Sequence, residues 1–388
     1  MKRFITVALV ALLVVGVQLP ASAQKAKKSK AKKEKVTDPR LLTITKMTKM
    51  TKESQFLTKG VALKTAHRAT QGFAISADEQ TMWFSQPGNI AQYKQGLTKV
   101  HENYVVRRKD GKREIMTLRY FGSANSLDIE HGEDGKDYVW IGSNGTNNKK
   151  HKAYGYTRTV SRFPFEAGTE LNDGYAGETY YLGGAYYCYP AVNAKDNILG
   201  VATQKAGVVT INLYNLAEAR ALDNTDVKLK TVYKGEIAGE EQQTVTRTIK
   251  AKDLTTLESI SSFVIAKPDK EVADPAKEPN FYSFRAWDVD KDYVYFVEGK
   301  HNAGNMKSNG PSKAFITVYD HAGRVVLPKR RIQCVFDQYL LETLNITPQG
   351  YADIAGIKVI DNKVYVMFSV NNKSGEKKGF RTVVVKYE

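Results

Sequence analysis

Five stretches of this chain read alike: QGFAISADEQTMWFSQ (71–86), SLDIEHGEDGKDYVWIGS (126–143), YPAVNAKDNILGVATQ (189–204), FRAWDVDKDYVYFVEG (284–299) and IAGIKVIDNKVYVMFSV (354–370). In each, an apolar alternation runs into a polar turn and then into a second β-rich alternation. Alternation at period two turns one face of a strand inward, and an Asp, Asn or Gly turn joins two such strands into a hairpin. Hairpins that recur over a whole chain build repeated sheets. A β-propeller is the commonest soluble way to arrange them, and a β-sandwich is the other arrangement open to them.

Spacing favours the propeller. The repeats start 55, 63, 95 and 70 residues apart, and a four-stranded blade needs about 40 to 50 residues. Each interval holds a blade, with the excess in loops or added strands. The longest interval contains AKPDKEVADPAKEPN (266–280), which reads as an exposed loop. FITVYDHAGRVVL (315–327) reads as an outer hairpin turning at Asp320 to Gly323. The terminal FRTVVVKYE is a strand of the last blade, and a strand near Phe56 to Leu63 is placed to close the ring against it, which removes free sheet edges. Helical patterns are short, at 215–224 and 336–344. The expectation is an all-β chain with one propeller of five blades over residues 51–388.

The start of the chain reads differently. Lys2 and Arg3 precede an apolar run from Ile5 to Val17, and Ala21-Ser22-Ala23 has the form of a cleavage site. Residues 1–23 therefore read as a signal peptide, too short in its apolar part to span a bilayer comfortably and with no second apolar run after it. The mature chain is expected to be exported, to the periplasm or the extracellular space. Residues 25–35 then hold seven lysines and one glutamate, within a chain of net charge +17. Such a run repels itself and has nothing apolar to bury, so residues 24–50 are expected to be a disordered basic arm. The arm is either a solvated spacer or a contact for anionic envelope polymers or lipid. Export argues against nucleic acid as a partner. Cys188 and Cys334 are the two cysteines, and export permits a disulfide between them as readily as two buried thiols.

Chemical motifs are sparse. No P-loop, G-x-G-x-x-G, G-x-S-x-G or H-E-x-x-H occurs, and the six histidines show no ligand spacing. No cofactor and no metal are expected. His131 with Asp128, Glu130, Glu133 and Asp134 has the residue types for acid–base work or a cation, and also those of an ordinary hairpin turn. Asp288, Asp290 and Asp292 alternate in WDVDKD but lack the Gly and closing Glu of a calcium loop. A polysaccharide-acting hydrolase or lyase would need convergent groups, for which Asp128, Glu130, His131, Asp288 and Glu298 are the candidates. Trp83, Trp140 and Trp287 fall at similar points of three hairpins, as packing between blades requires. Tyr180, Tyr181, Tyr186, Tyr187 and Tyr189 cluster around Gly183-Gly184, suited to packing or to stacking on a ligand.

The residues just ahead of each repeated hairpin are Gln71, Asn125, Tyr189, Arg285 and Asp353. Loops leading into inner strands converge at the mouth of a propeller channel. These five are the candidate binding residues, with Gln71 and Asn125 as hydrogen-bonding groups and Arg285 as an anion contact.

ATQGFAISADEQTMWFSQ followed by MTLRYFGSANSLDIEHGEDGKDYVWIGSNG resembles the helveticin J-like class III bacteriocins and the TagC-like five-bladed propellers of phage receptor-binding and teichoic-acid-associated proteins. The resemblance continues at YPAVNAKDNILGVAT, INLYNLAEARALDN and YADIAGIKVIDNKVYVMF and covers most of residues 68–388 in order. Where that family carries G-H-x-Q, this chain has Gly122-Ser123-Ala124-Asn125, and its E-G-I is here Ala355-Gly356-Ile357. An imidazole and a carboxylate are thereby absent. The resemblance implies a non-enzymatic propeller that binds a cell-envelope glycan, an anionic polymer or a surface protein. An envelope structural or assembly protein is the remaining alternative.

Overall fold

Each of the five repeated hairpins forms the two innermost strands of a separate sheet. A computed structural model describes residues 36–47, 55–92, 99–123, 125–146, 155–172, 177–205, 207–234, 242–265, 282–300, 312–332, 351–372 and 378–388. The signal-like segment, the lysine run, the 266–280 loop, the 336–344 pattern and Cys334 lie outside these residues.

Strand β1 (Gln55–Val61) comes first and is used last. Blade one is β2 (Gly72–Ile75), β3 (Thr81–Gln92), β4 (Lys99–Lys109) and β5 (Lys112–Arg119). Blade two starts with β6 (Leu127–His131), β7 (Asp137–Ser143) and β8 (Thr159–Pro164). The short β9 (Glu170–Leu171) returns to the outer edge of blade one, and β10 (Glu178–Tyr181) continues blade two. Blade three is β11 (Tyr189–Asn193), β12 (Ile198–Lys205) and β13 (Val208–Asn215). A long hairpin, β14 (Asn224–Lys234) and β15 (Gln242–Asp253), then widens blade two to six strands before β16 (Ser261–Ile265) completes blade three. This excursion accounts for the 95-residue interval. Blade four is β17 (Ser283–Val289), β18 (Tyr293–Lys300), β19 (Lys313–Asp320) and β20 (Val325–Arg331). Blade five is β21 (Tyr351–Ile360), β22 (Lys363–Asn372) and β23 (Gly379–Tyr387), with β1 as its outer strand.

Each inner strand packs on the inner strand of the next blade, and β21 packs on β2, so the ring closes. The seal is the antiparallel pairing of β1 with β23, from Gln55 opposite Lys386 to Val61 opposite Thr382. Thr58 tightens it: its hydroxyl donates to the Thr382 carbonyl and accepts from the Val384 amide, both at 3.0 Å. The joined strands lie at opposite ends of the chain, as the expected closure requires.

The wedges between blades hold the core. Trp83 fills the space between blades one and two, Trp140 that between two and three, and Trp287 that between three and four. All three are buried, so these tryptophans pack rather than face a ligand. Truncating one to alanine would cost about 3–5 kcal/mol. Near the axis the fit is tight enough to exclude a β-carbon at two repeat starts. One on Gly72 would lie 2.9 Å from the Leu127 amide nitrogen, and one on Gly356 would lie 2.5 Å from the Phe73 β-carbon. The glycines of QGF and AGI therefore stand where neighbouring inner strands meet.

One expectation needs correction. Residues 36–47, placed in a disordered arm, are ordered, and Thr37 to Glu388 form one compact unit. Helix α1 (Pro39–Lys46) is capped by the Asp38 carboxylate, which accepts the Arg40 amide at 2.9 Å, with Pro39 in the first turn. Leu41, Ile44 and Met47 are buried, and α1 packs on β20, β22 and β23. A three-residue spacing of apolar groups behind an Asp-Pro start is enough to dock a helix, even directly after a lysine run. The second helix, α2 (Leu216–Ala221), lies inside the expected 215–224 pattern.

Candidate functional site: the central channel

The inner strands enclose a channel with unequal ends. At their starts it narrows to a cavity of about 20 Å³, bordered by Asn125, Tyr189 and Arg285 together with the Gly72 and Gly356 backbone. Four of the five candidate binding residues thus come together, three on the cavity and Asp353 against Arg285. They satisfy one another or their neighbours: Asn125 hydrogen-bonds the Tyr189 side chain, and Arg285 pairs with Asp353 at 3.2 Å and donates from Nε to the Gly299 carbonyl. Tyr189 is buried, and burial pushes its hydroxyl well above the usual tyrosine range. Gln71 is half-buried, and its backbone N–H donates to the Ser85 carbonyl at 2.9 Å. A space of this size holds about one water.

The middle of the channel is plugged by a lysine that the sequence reading did not single out. Lys358, on β21, reaches Asp128 of β6 at 3.0 Å and Asp288 of β17 at 2.7 Å. The three share a register: across their hairpins they face Trp140, Tyr295 and Tyr365, all fully buried. Each aspartate also caps the free inner edge of the next blade. Asp128 accepts the Val192 amide at 2.6 Å, and Asp288 accepts the Val359 amide at 2.7 Å. Burial alone would push the Lys358 ammonium down, but Asp128 and Asp288 outweigh it and hold the ammonium above the ordinary lysine value. Burial pushes Asp288 up, and the Asp128 charge adds to that, against the pull of Lys358. Two carboxylates around one cation carry a net negative charge, so one carboxyl is the natural proton acceptor.

At the strand ends the channel opens into a cavity of about 670 Å³. His131, Lys195 and Lys291 stand on its rim, and Arg40 of α1 forms part of its wall. Arg40 is held by Asp38 at 2.7 Å, Asp290 at 2.8 Å and Asp292 at 2.7 Å, with its guanidinium carbon 4.6 Å from the Tyr293 ring centre. The hydrogen bond from Arg40 holds the Asp38 carboxyl below its usual value. The WDVDKD carboxylates are thus neutralised by Lys358 and Arg40. Among the described residues no cluster of His, Cys, Asp or Glu is built to hold a metal ion.

The other acid–base candidates are held apart. Glu130 is buried and accepts from the Trp140 indole at 2.8 Å, from Arg162 at 2.8 and 3.1 Å and from Arg220 at 2.9 Å. Glu298 is buried and paired with Lys329. The His131 imidazole sits on Asp137 at 2.8 Å, which raises its pKa. Asp128 and Asp288 are the two of the five candidates that the fold brings together, with Lys358 between them. The tyrosine cluster divides: Tyr180 is buried against Trp140, with ring centres 5.0 Å apart, Tyr187 and Tyr189 stack, and Tyr186 is exposed. Cys188 is a buried free thiol that burial pushes up to about 12.

No protein-family model and no curated protein matches this chain. It is similar in shape to solved structures. One is a GH43 glycoside hydrolase displaying endo-xylanase and exo-arabinofuranosidase activity, at 8% identity over 86% of this chain and 84% of that chain, with a TM-score of 0.23. Another is the Dos1 propeller, at 9% identity over 84% of this chain and 73% of that chain, with a TM-score of 0.27. Superpositions this loose say nothing about chemistry.

Proposed function

We propose that this chain is an exported, non-enzymatic propeller of the cell envelope that holds a segment of a polar glycan in the wide end of its channel. The observation that supports this best is the cavity of about 670 Å³, walled by inner strands and by α1. Sites for small ligands commonly fall between about 300 and 1,000 Å³. Its rim carries donors and acceptors suited to hydroxyl groups, while the two channel aspartates are occupied by Lys358. That occupation is why binding is preferred here to polysaccharide cleavage. Membership of the helveticin J-like group belongs to the same proposal through the sequence resemblance. It does not extend to killing, because the imidazole and carboxylate of the family motifs are absent. Export rests on residues 1–23, and the lysine run at 25–35 adds salt-sensitive affinity for anionic polymer.

The test is a binding screen of the chain from Gln24 onward against envelope polysaccharides and anionic polymers, repeated with Lys195→Ala plus Lys291→Ala and with Arg285→Ala. We expect the wide-end pair to lose about tenfold in affinity, ~1.4 kcal/mol, and Arg285→Ala to stay within about twofold. The reverse result moves the site to Gln71, Asn125, Tyr189, Arg285 and Asp353. Binding to one envelope protein and to no polymer makes the chain an assembly protein instead.

A further inference from the structure

Two arginines four residues apart enter blade two, and both are buried: Arg158 is 6% exposed and Arg162 is 5% exposed. Both lie on tyrosine rings, Arg162 at 3.5 Å from the Tyr138 centre and Arg158 at 4.1 Å from that of Tyr186. Their edges differ. Arg162 spends its fork on Glu130 and Glu178. The Arg158 Nε is buried without a hydrogen-bond partner, and among the described residues its guanidinium meets no carboxylate. Its backbone amide donates to the Ser143 carbonyl at 2.9 Å, and the side chain lies along the Tyr186 ring.

A buried cation without a counter-charge costs several kcal/mol. A fold that keeps one in a set position beside a partly exposed ring has left a place for an anion. The adjoining loop supports this. Gly183 and Gly184 are both left-handed, at φ +62° and +84°, a conformation open chiefly to glycine. A β-carbon on Gly184 would lie 3.6 Å from Arg158 Nη2, so the loop passes the fork with backbone alone. Tyr186, 37% exposed, caps one face of the guanidinium and leads to solvent. The Arg fork accepts carboxylate or phosphate oxygens in pairs.

We propose that Arg158, with Tyr186 and the Gly183-Gly184 loop, is a binding site for a singly charged oxyanion, a carboxylate or a phosphodiester. It lies beside the starts of the inner strands, apart from the wide cavity, so it stands or falls independently of the proposed glycan site.

Two measurements on the full chain test it. The first is thermal unfolding of the wild type and of Arg158→Met without ligand. Removing an unpaired buried charge leaves the variant as stable as the wild type or more so, whereas a structural cation would leave it less stable. The second is ligand-observed NMR with glucuronic acid and with glycerophosphoglycerol, using glucose and glycerol as neutral controls. At least one anionic probe binds the wild type about tenfold more tightly than its neutral control, and both Arg158→Met and Tyr186→Ala weaken it; which probe binds distinguishes carboxylate from phosphodiester. A destabilised Arg158→Met, equal binding of neutral probes, binding that survives in Arg158→Met, or binding of neither anion overturns the proposal.

Discussion

The two ends of the channel are lined by the same five strands, yet one is shut and the other open. At the narrow end Asn125, Tyr189, Arg285 and Asp353 answer one another, and glycines at 72 and 356 let the backbones close in. At the wide end a cavity of about 670 Å³ stays open and α1 supplies part of its wall, with Arg40 bound to three aspartates. Between them Lys358 ties blade five to blades two and four. Polar residues that meet at an axis need not form a binding site. The narrow end shows polar groups used to close a ring, and the wide end shows a volume left between them.

The comparison breaks most sharply at the plug. Lys358→Met leaves Asp128 and Asp288 buried together without their shared cation, which costs about 3–5 kcal/mol for a broken buried pair. Chemical unfolding measures this directly, and a loss below about 1 kcal/mol would mean that water already reaches the site. Adding Asp288→Asn to Lys358→Met removes one stranded charge and recovers part of the loss.

Next comes the contrast between the two arginines. Arg40→Ala strips the guanidinium from Asp290 and Asp292 and frees α1 locally. Trypsin cleavage after Lys46 then speeds up by about tenfold or more, while the unfolding midpoint of the ring moves little. Arg285→Ala, at the shut end, opens no new cleavage site. Equal protease sensitivity of the two variants would show that α1 is not held by Arg40.

The ring was legible in the sequence because a propeller repeats its hydrophobic pattern. All five inner hairpins and the closing strand near residue 56 follow from period-two alternation. Lys358 was harder, since a lone lysine in IAGIKVID reads as one solvent-facing step of an alternating strand. Its partners are 230 and 70 residues away, and local pattern cannot join them. Helix α1 carried a usable signal in Asp38-Pro39 with Leu41, Ile44 and Met47, but the adjacent lysines outweighed it in composition. The convergence of Asn125, Tyr189 and Arg285 followed from repeat alignment. That one end of the channel would be roomy did not, because its wall includes Asp38, Pro39 and Arg40 at the start of α1, which the repeats do not encode.

The smallest expected effect is a pH dependence that belongs to the plug. The Asp288 carboxyl is raised by burial, with Asp128 adding to it, from 3.8 to about 6. A carboxyl whose folded value lies above its unfolded value contributes stability below about 3.8 and loses it as pH rises through about 6. Lys358 is raised above 10.5, so its contribution is constant across this window and is lost only under strongly alkaline conditions. The wild type should therefore lose stability relative to Asp288→Asn between pH 4 and pH 7. Asp137 raises the His131 imidazole above its ordinary value, but His131 is present in both proteins and drops out of the difference. Unfolding both proteins in urea at half-unit pH steps gives the curve. A difference that is flat across pH 4 to 7 would mean that Asp288 is fully ionised throughout, with Lys358 and the Val359 amide holding its charge more strongly than burial opposes it.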